Sequence, residues 1–150
     1  MLSKILVYVL AGIVVSTAVV YFYVASGEYS DLIDFIDAGV MGEIQEKQIE
    51  MTLFLSTGIG YMVTVIWMLK KKLSSVLPYI VLTAGSIALI GIYIASRTVG
   101  VPPIGIEYYI GKMDITSKIL QVLISGLSVY LICSIQRGKE RKLVDIEAKK

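Results

Sequence analysis

The residues of this chain that could do chemistry gather around a loop rich in proline and glycine in its second half. They are Arg97, Glu107, Asp114, Lys118 and Gln121. The spacing of Asp114, Lys118 and Gln121 puts all three on one face of a helix. Ionisable groups in an apolar helix are expensive unless paired, which makes them candidate functional residues. We therefore predict a polar cluster in which Lys118 pairs with Asp114. Arg97 is expected either to snorkel outward or to pair with Glu107 or Asp114 across the loop. Asp114 is also expected to cap the helix that it opens.

Several kinds of chemistry are excluded by residue type. Histidine is absent, and Cys133 is the only cysteine. The chain alone therefore cannot build a Cys/His zinc site, a haem-attachment motif, a Ser-His-Asp triad or an intrachain disulfide. Cys133 is predicted to be a small apolar packing residue. The sequence thus predicts no catalytic, cofactor-binding or metal-binding residue, and a protein that is not an enzyme.

Two acidic series are the remaining candidates. Asp31, Asp34 and Asp37 recur at every third position. Carboxylates at this spacing could gather a hard cation such as Ca²⁺, but no EF-hand pattern is present and a solvated acidic face is the default. The second series, at helical spacing, consists of Glu43, Glu46 and Glu50. Without His or Cys partners it defines no reaction class.

The elements that carry these residues are predicted from hydropathy. The chain has 150 residues, of which 56% are hydrophobic, and about 20 helical residues cross the roughly 30 Å of a bilayer core. The stretches that suffice are 5–24, 51–69, 77–95 and 115–135. The first is expected to be an uncleaved anchor. The predicted fold class is all-α, a four-transmembrane-helix antiparallel bundle in a single membrane domain over 1–150.

The distribution of charge predicts orientation, because Lys and Arg are retained on the cytoplasmic side. Basic residues occur at Lys4, at 70–72 and in the tail 136–150, whereas the segments 25–50 and 96–114 are acidic or rich in Gly and Pro. We therefore predict a multi-pass cell-membrane protein with both termini, the basic loop and the tail in the cytoplasm, and the acidic loop outside. The net charge of +2 is small, and no nucleic-acid partner is predicted.

Small residues predict where helices meet. Ala84, Ala88, Gly91 and Ala95 recur on one face of the third stretch, and membrane helices associate through such close-packing residues. This set is the predicted helix-packing seam. Similar pairs on the other stretches are Gly12 with Ser16, Ser56 with Gly60, and Ser125 with Ser128.

The acidic segment between the first two stretches is predicted to be an amphipathic helix on the outer surface. Over 31–50 the apolar positions approximate a stripe, with the aspartates on another face. Gly39 and Gly42 could break this helix in two.

A family resemblance follows from the loop. The run Ser-Arg-Thr-Val-Gly-Val-Pro at 96–102, a further Gly, and then Gly111 and Asp114 opening an apolar helix resemble the signature loop of a widespread group of small four-helix membrane proteins of unknown function. Those relatives often have a histidine before helix two and a glutamate within helix four. Here histidine is absent and Gln121 takes the latter position. The resemblance therefore implies the architecture and not a function.

Two functions remain open. The first is a non-catalytic accessory or scaffold subunit of a larger membrane complex, such as a membrane oxidoreductase or monooxygenase, with the lipid bilayer and other integral membrane subunits as partners. The alternative is a small transporter, channel or sensor that acts as an oligomer, with the polar cluster lining a vestibule.

Overall fold

The structure, a computed structural model, describes residues 2–100, 108 and 110–147. Its helices are α1 (Leu2–Ala38), α2 (Met41–Lys71), α3 (Leu77–Thr98) and α4 (Lys112–Glu147). All four are long and apolar enough to cross a membrane. The predicted all-α architecture with four membrane helices is confirmed, and the chain is a multi-pass membrane protein.

The core runs along one face of α1, where buried residues are spaced three or four apart. They are Val7, Leu10, Val14, Ala18 and Tyr21. The other helices each contribute large side chains to the same cluster: Tyr61, Val65 and Met68 from α2, Tyr79 and Leu82 from α3, and Ile124, Leu131 and Ile135 from α4. This spacing keeps one stripe of each helix facing its neighbours.

The turn between α1 and α2 replaces the predicted surface helix. α1 continues without a break to Ala38, and α2 begins at Met41. Gly39 has φ 71°, its N–H donates to the Ile36 carbonyl at 3.1 Å, and the Val40 N–H donates to the Phe35 carbonyl at 3.1 Å. This is a Schellman motif, for which glycine is favoured. The prediction of a separate helix over 31–50 is wrong, because the segment instead lengthens two antiparallel helices.

The connection between α2 and α3 is a short 3-10 turn over Lys72–Ser74. Lys72 has φ 45°, and its carbonyl accepts a hydrogen bond from the Tyr79 hydroxyl at 2.8 Å. Pro78 lies in the first turn of α3, where its missing N–H costs nothing. Tyr79 is fully buried, so this bond ties the turn to the core.

The two ends of the bundle differ in charge. At one end lie the last turn of α3 and the first turns of α4; we call it the Asp114 end. The opposite end has Lys70 and Lys71 in the last turn of α2, where cations complement the helix dipole. There α4 extends to Glu147, through most of the predicted tail. Which end faces the cytoplasm stays a prediction.

Candidate functional site

The predicted polar cluster assembles at the Asp114 end. Arg97 lies in the last turn of α3, and Asp114, Lys118 and Gln121 lie along one face of the start of α4. Glu107 lies outside the described residues. The described members of the cluster contact one another or share an aromatic neighbour.

Asp114 joins α3 to α4. Its Oδ2 is 3.1 Å from Arg97 Nη2 and accepts a hydrogen bond from the Gly111 N–H at 3.0 Å. Since α4 begins at Lys112, Asp114 is the third helical residue and reaches back to the residue before the helix. That is the acidic half of a capping box rather than the predicted N-cap. The predicted pairing of Arg97 with Asp114 is present.

Lys118 has a different environment from the one predicted. Its Nζ donates to Gln121 Oε1 at 3.2 Å and lies 4.8 Å from the centre of the Tyr93 ring. The same ring lies 5.0 Å from the Arg97 guanidinium carbon. The predicted Asp114–Lys118 ion pair is replaced, because Asp114 turns to Arg97 and Gly111. An aromatic face and a neutral amide therefore stabilise the ammonium of Lys118.

Gln121 links α4 to α1. It is fully buried, and its Nε2 donates to the Tyr21 hydroxyl at 2.6 Å. Tyr21 stacks on Tyr61 with ring centroids 6.0 Å apart, and the Tyr61 hydroxyl is 3.0 Å from Ser86 Oγ. These contacts connect all four helices in one line. Sequence reasoning missed the role of Tyr21, because 100 residues separate it from Gln121.

A second polar group, not predicted from the sequence, binds α1 to α2 at the same end. Lys47 Nζ lies 2.8 Å from Glu28 Oε2 and 2.9 Å from Glu50 Oε2. Glu50 is buried, at 6% exposure, so its charge depends on Lys47. The sequence did contain a signal, since Lys47 is the lone basic residue of an acidic segment.

Four of these charged side chains, Glu50, Arg97, Asp114 and Lys118, line a cavity of about 180 Å³ at the Asp114 end. Its apolar walls include Val20, Val24 and Leu89, and its polar lining includes Lys118 and Asp114. Buried residues further along the bundle, among them Val14, Val65, Leu82 and Ile124, belong to the continuous apolar core. The arrangement suits a site that holds a molecule with an apolar body and a polar head.

The predicted helix-packing seam lies on the outside of the bundle. Ala84, Ala88 and Gly91 are exposed, and Ala95 is half-buried. The buried face of α3 carries Pro78, Tyr79, Leu82 and Ser86 instead, on the opposite side of the helix. The expectation that the seam packs α3 within this chain is therefore corrected. Other small residues predicted to pack, namely Gly12, Ser16, Ser56 and Gly60, are exposed as well.

The other candidate residues are dispersed. Asp31, Asp34 and Asp37 are exposed, and among the described residues no group of three or more Asp, Glu or Cys could hold a metal ion. In the second acidic series Glu43 is exposed and Glu50 pairs with Lys47. Cys133 is exposed on α4, which corrects the prediction that it packs inside.

Comparison with known proteins assigns the chain to no family. No protein-family model, curated protein or solved structure matches the chain. The family resemblance of the loop stays a prediction, since residues 101–107 lie outside the described ones.

Proposed function

We propose that the protein is a non-catalytic accessory subunit that packs α3 against a helix of another integral membrane protein. The observation that carries this proposal is the exposure of Ala84, Ala88 and Gly91 on one face of α3. We call these residues, with the half-buried Ala95, the small-residue stripe. No atom outside the local backbone lies within 4 Å of a Cβ built on Gly91.

The shape of this face supports a helix as its occupant. Ile87 and Ile94, both exposed, lie along one side of the stripe, and the exposed Ile92 lies along the other. Small residues between larger ones form a shallow groove in which a second helix backbone can approach closely. Lipid solvates Leu or Ile as well as a protein does, so close packing is what favours a helix over lipid here.

The chemistry of the groove also limits the partner. Between Leu77 and Ser96, α3 contains no Asp, Glu, Lys or Arg. A partner helix that presented a charge to this face would leave it unpaired in the bilayer. We therefore expect an apolar transmembrane helix with small residues of its own. A membrane oxidoreductase or monooxygenase as host stays a prediction.

The alternative function, transport or conduction through the chain, has less support. The polar contacts that run from Lys118 to Ser86 end at the apolar core of the bundle. In that core Leu10, Met68 and Leu131 are fully buried. A conducting path needs polar groups or water along its length. The described part of the chain therefore favours binding over passage.

The proposal is tested by Gly91→Leu, with Gly85→Leu as the matched control. Both glycines lie in α3, are exposed and have open space at Cβ, but Gly85 lies about 90° around the helix from the stripe. Both variants should keep the thermal stability of the wild type. Only Gly91→Leu should lose the partner on affinity purification from native membranes.

Two results would contradict the proposal. One is retention of the partner by Gly91→Leu at the wild-type ratio. The other is a dimer of the purified chain alone that Gly91→Leu dissociates, because the stripe would then serve self-association.

A further inference from the structure

The Lys118 ammonium lines the cavity at the Asp114 end without a carboxylate in ion-pair contact among the described residues. Asp114 is engaged by Arg97, and Glu50 is engaged by Lys47. Within residues 2–100, 108 and 110–147, Lys118 forms no ion pair: its ammonium hydrogen-bonds to Gln121 and lies over the Tyr93 ring, and Asp114 attracts it only from beyond ion-pair distance. An ammonium in a mostly apolar site is costly to leave without a counter-ion. The cavity therefore favours an anionic group beside Lys118.

Exposed apolar side chains of two membrane helices line the cavity. Leu53 of α2 and Ile92 of α3 both line it, and they are 54% and 55% exposed. Both belong to helices long and apolar enough to cross a membrane. An apolar chain can therefore pass between them into the hydrocarbon that surrounds membrane helices.

We propose that this cavity binds a single-chain amphiphile whose carboxylate or phosphate head lies against the Lys118 ammonium. A volume of about 180 Å³ is similar to that of apolar cavities that bind benzene, so it accommodates the head and the first methylene groups. The rest of the chain leaves between α2 and α3. This binding site differs from the proposed docking surface on α3, although Ile92 borders both.

The test is native mass spectrometry of the full chain in a neutral detergent, titrated with palmitate and with palmitate methyl ester. Palmitate should form a saturable 1:1 adduct, and the uncharged ester should bind about tenfold or more weakly, since a charge-assisted hydrogen bond is lost. Hexadecyl phosphate should behave as palmitate does. Acetate and inorganic phosphate should fail to compete, which would identify the source as lipid and not a free anion.

Variants locate the head group. Lys118→Met should weaken palmitate binding about tenfold or more, whereas Lys118→Arg should keep it. Lys112→Met is the control, because Lys112 is exposed on the same helix and does not line the cavity. Lys118→Met also removes the donor to the buried Gln121 Oε1, so its thermal unfolding is measured beside its binding, and binding is compared at a temperature where each variant is folded. Equal binding of palmitate and its ester by the wild type, or unchanged palmitate binding by Lys118→Met, would overturn the proposal.

Discussion

Paired or hydrogen-bonded polar side chains make the specific contacts between helices at the Asp114 end. Glu50 and Gln121 are buried, and each has a partner on its own or a neighbouring helix. Apolar packing in a membrane is not directional, so such contacts fix which faces meet. Removing a single one of these polar contacts should therefore measurably lower the free energy of unfolding.

Removing the charge of Lys47 should destabilise the fold. Lys47→Met leaves the buried Glu50 carboxylate without its cation, an effect of about 3 kcal/mol for a buried pair. Chemical unfolding in detergent measures it. Glu28→Gln should cost less, because Lys47 keeps Glu50. The double variant Lys47→Met with Glu50→Gln should recover most of the loss, and a purely additive result would contradict the account.

Removing one hydroxyl should have a comparable effect in the bundle interior. Tyr21→Phe leaves the buried Gln121 amide without its 2.6 Å acceptor, which costs about 1 to 3 kcal/mol. Tyr23→Phe is the matched control, since Tyr23 is 63% exposed, and it should change stability by less than about 0.5 kcal/mol. Equal unfolding midpoints for the two variants would show that the Gln121 contact contributes nothing.

At the level of elements, hydropathy predicted the existence of the helices but not where all of them end. The apolar stretch 5–24 continues as α1 to Ala38, since nothing before Gly39 interrupts the helix. The small-residue stripe was expected to face another helix of this chain, but it lies on the outer face of α3. Small residues mark a close helix contact, but the sequence does not say whether the contacting helix belongs to the same chain.

The turn between α1 and α2 gives a prediction at this scale. Gly39 has φ 71°, so Gly39→Ala should destabilise the hairpin by about 1 to 2 kcal/mol. Gly42 lies inside α2 with open space at Cβ, so Gly42→Ala should be neutral or stabilise by up to about 1 kcal/mol. Thermal unfolding of the two variants checks the opposite signs. A loss of stability in Gly42→Ala but not in Gly39→Ala would instead place the turn at Gly42.

For the whole molecule, composition and charge predicted the class and the region of the candidate site. The loop position of Arg97 and the helical spacing of Asp114, Lys118 and Gln121 predict one cluster. α3 and α4 bring its described members together. The sequence did not predict their partners Tyr21 and Tyr93. Those contacts depend on how helices far apart in the chain rotate against each other, which no local pattern encodes.

Sidedness is the prediction that belongs to this scale. In a Cys133→Ser background, Asp37→Cys marks the Asp114 end and Gln136→Cys marks the basic end; both positions are exposed. A membrane-impermeant maleimide applied to intact cells should label position 37, and position 136 only after lysis. Labelling of position 136 on intact cells would reverse the predicted orientation.

The central claim, that the chain works as a subunit docked through α3, is tested most directly by its state in native membranes. After gentle solubilisation, the tagged wild-type chain should migrate in a particle larger than its own 16.5 kDa and detergent belt. One integral membrane protein should be present with it in a constant ratio. Migration of the wild type as a lone monomer under every mild detergent tried would contradict the claim.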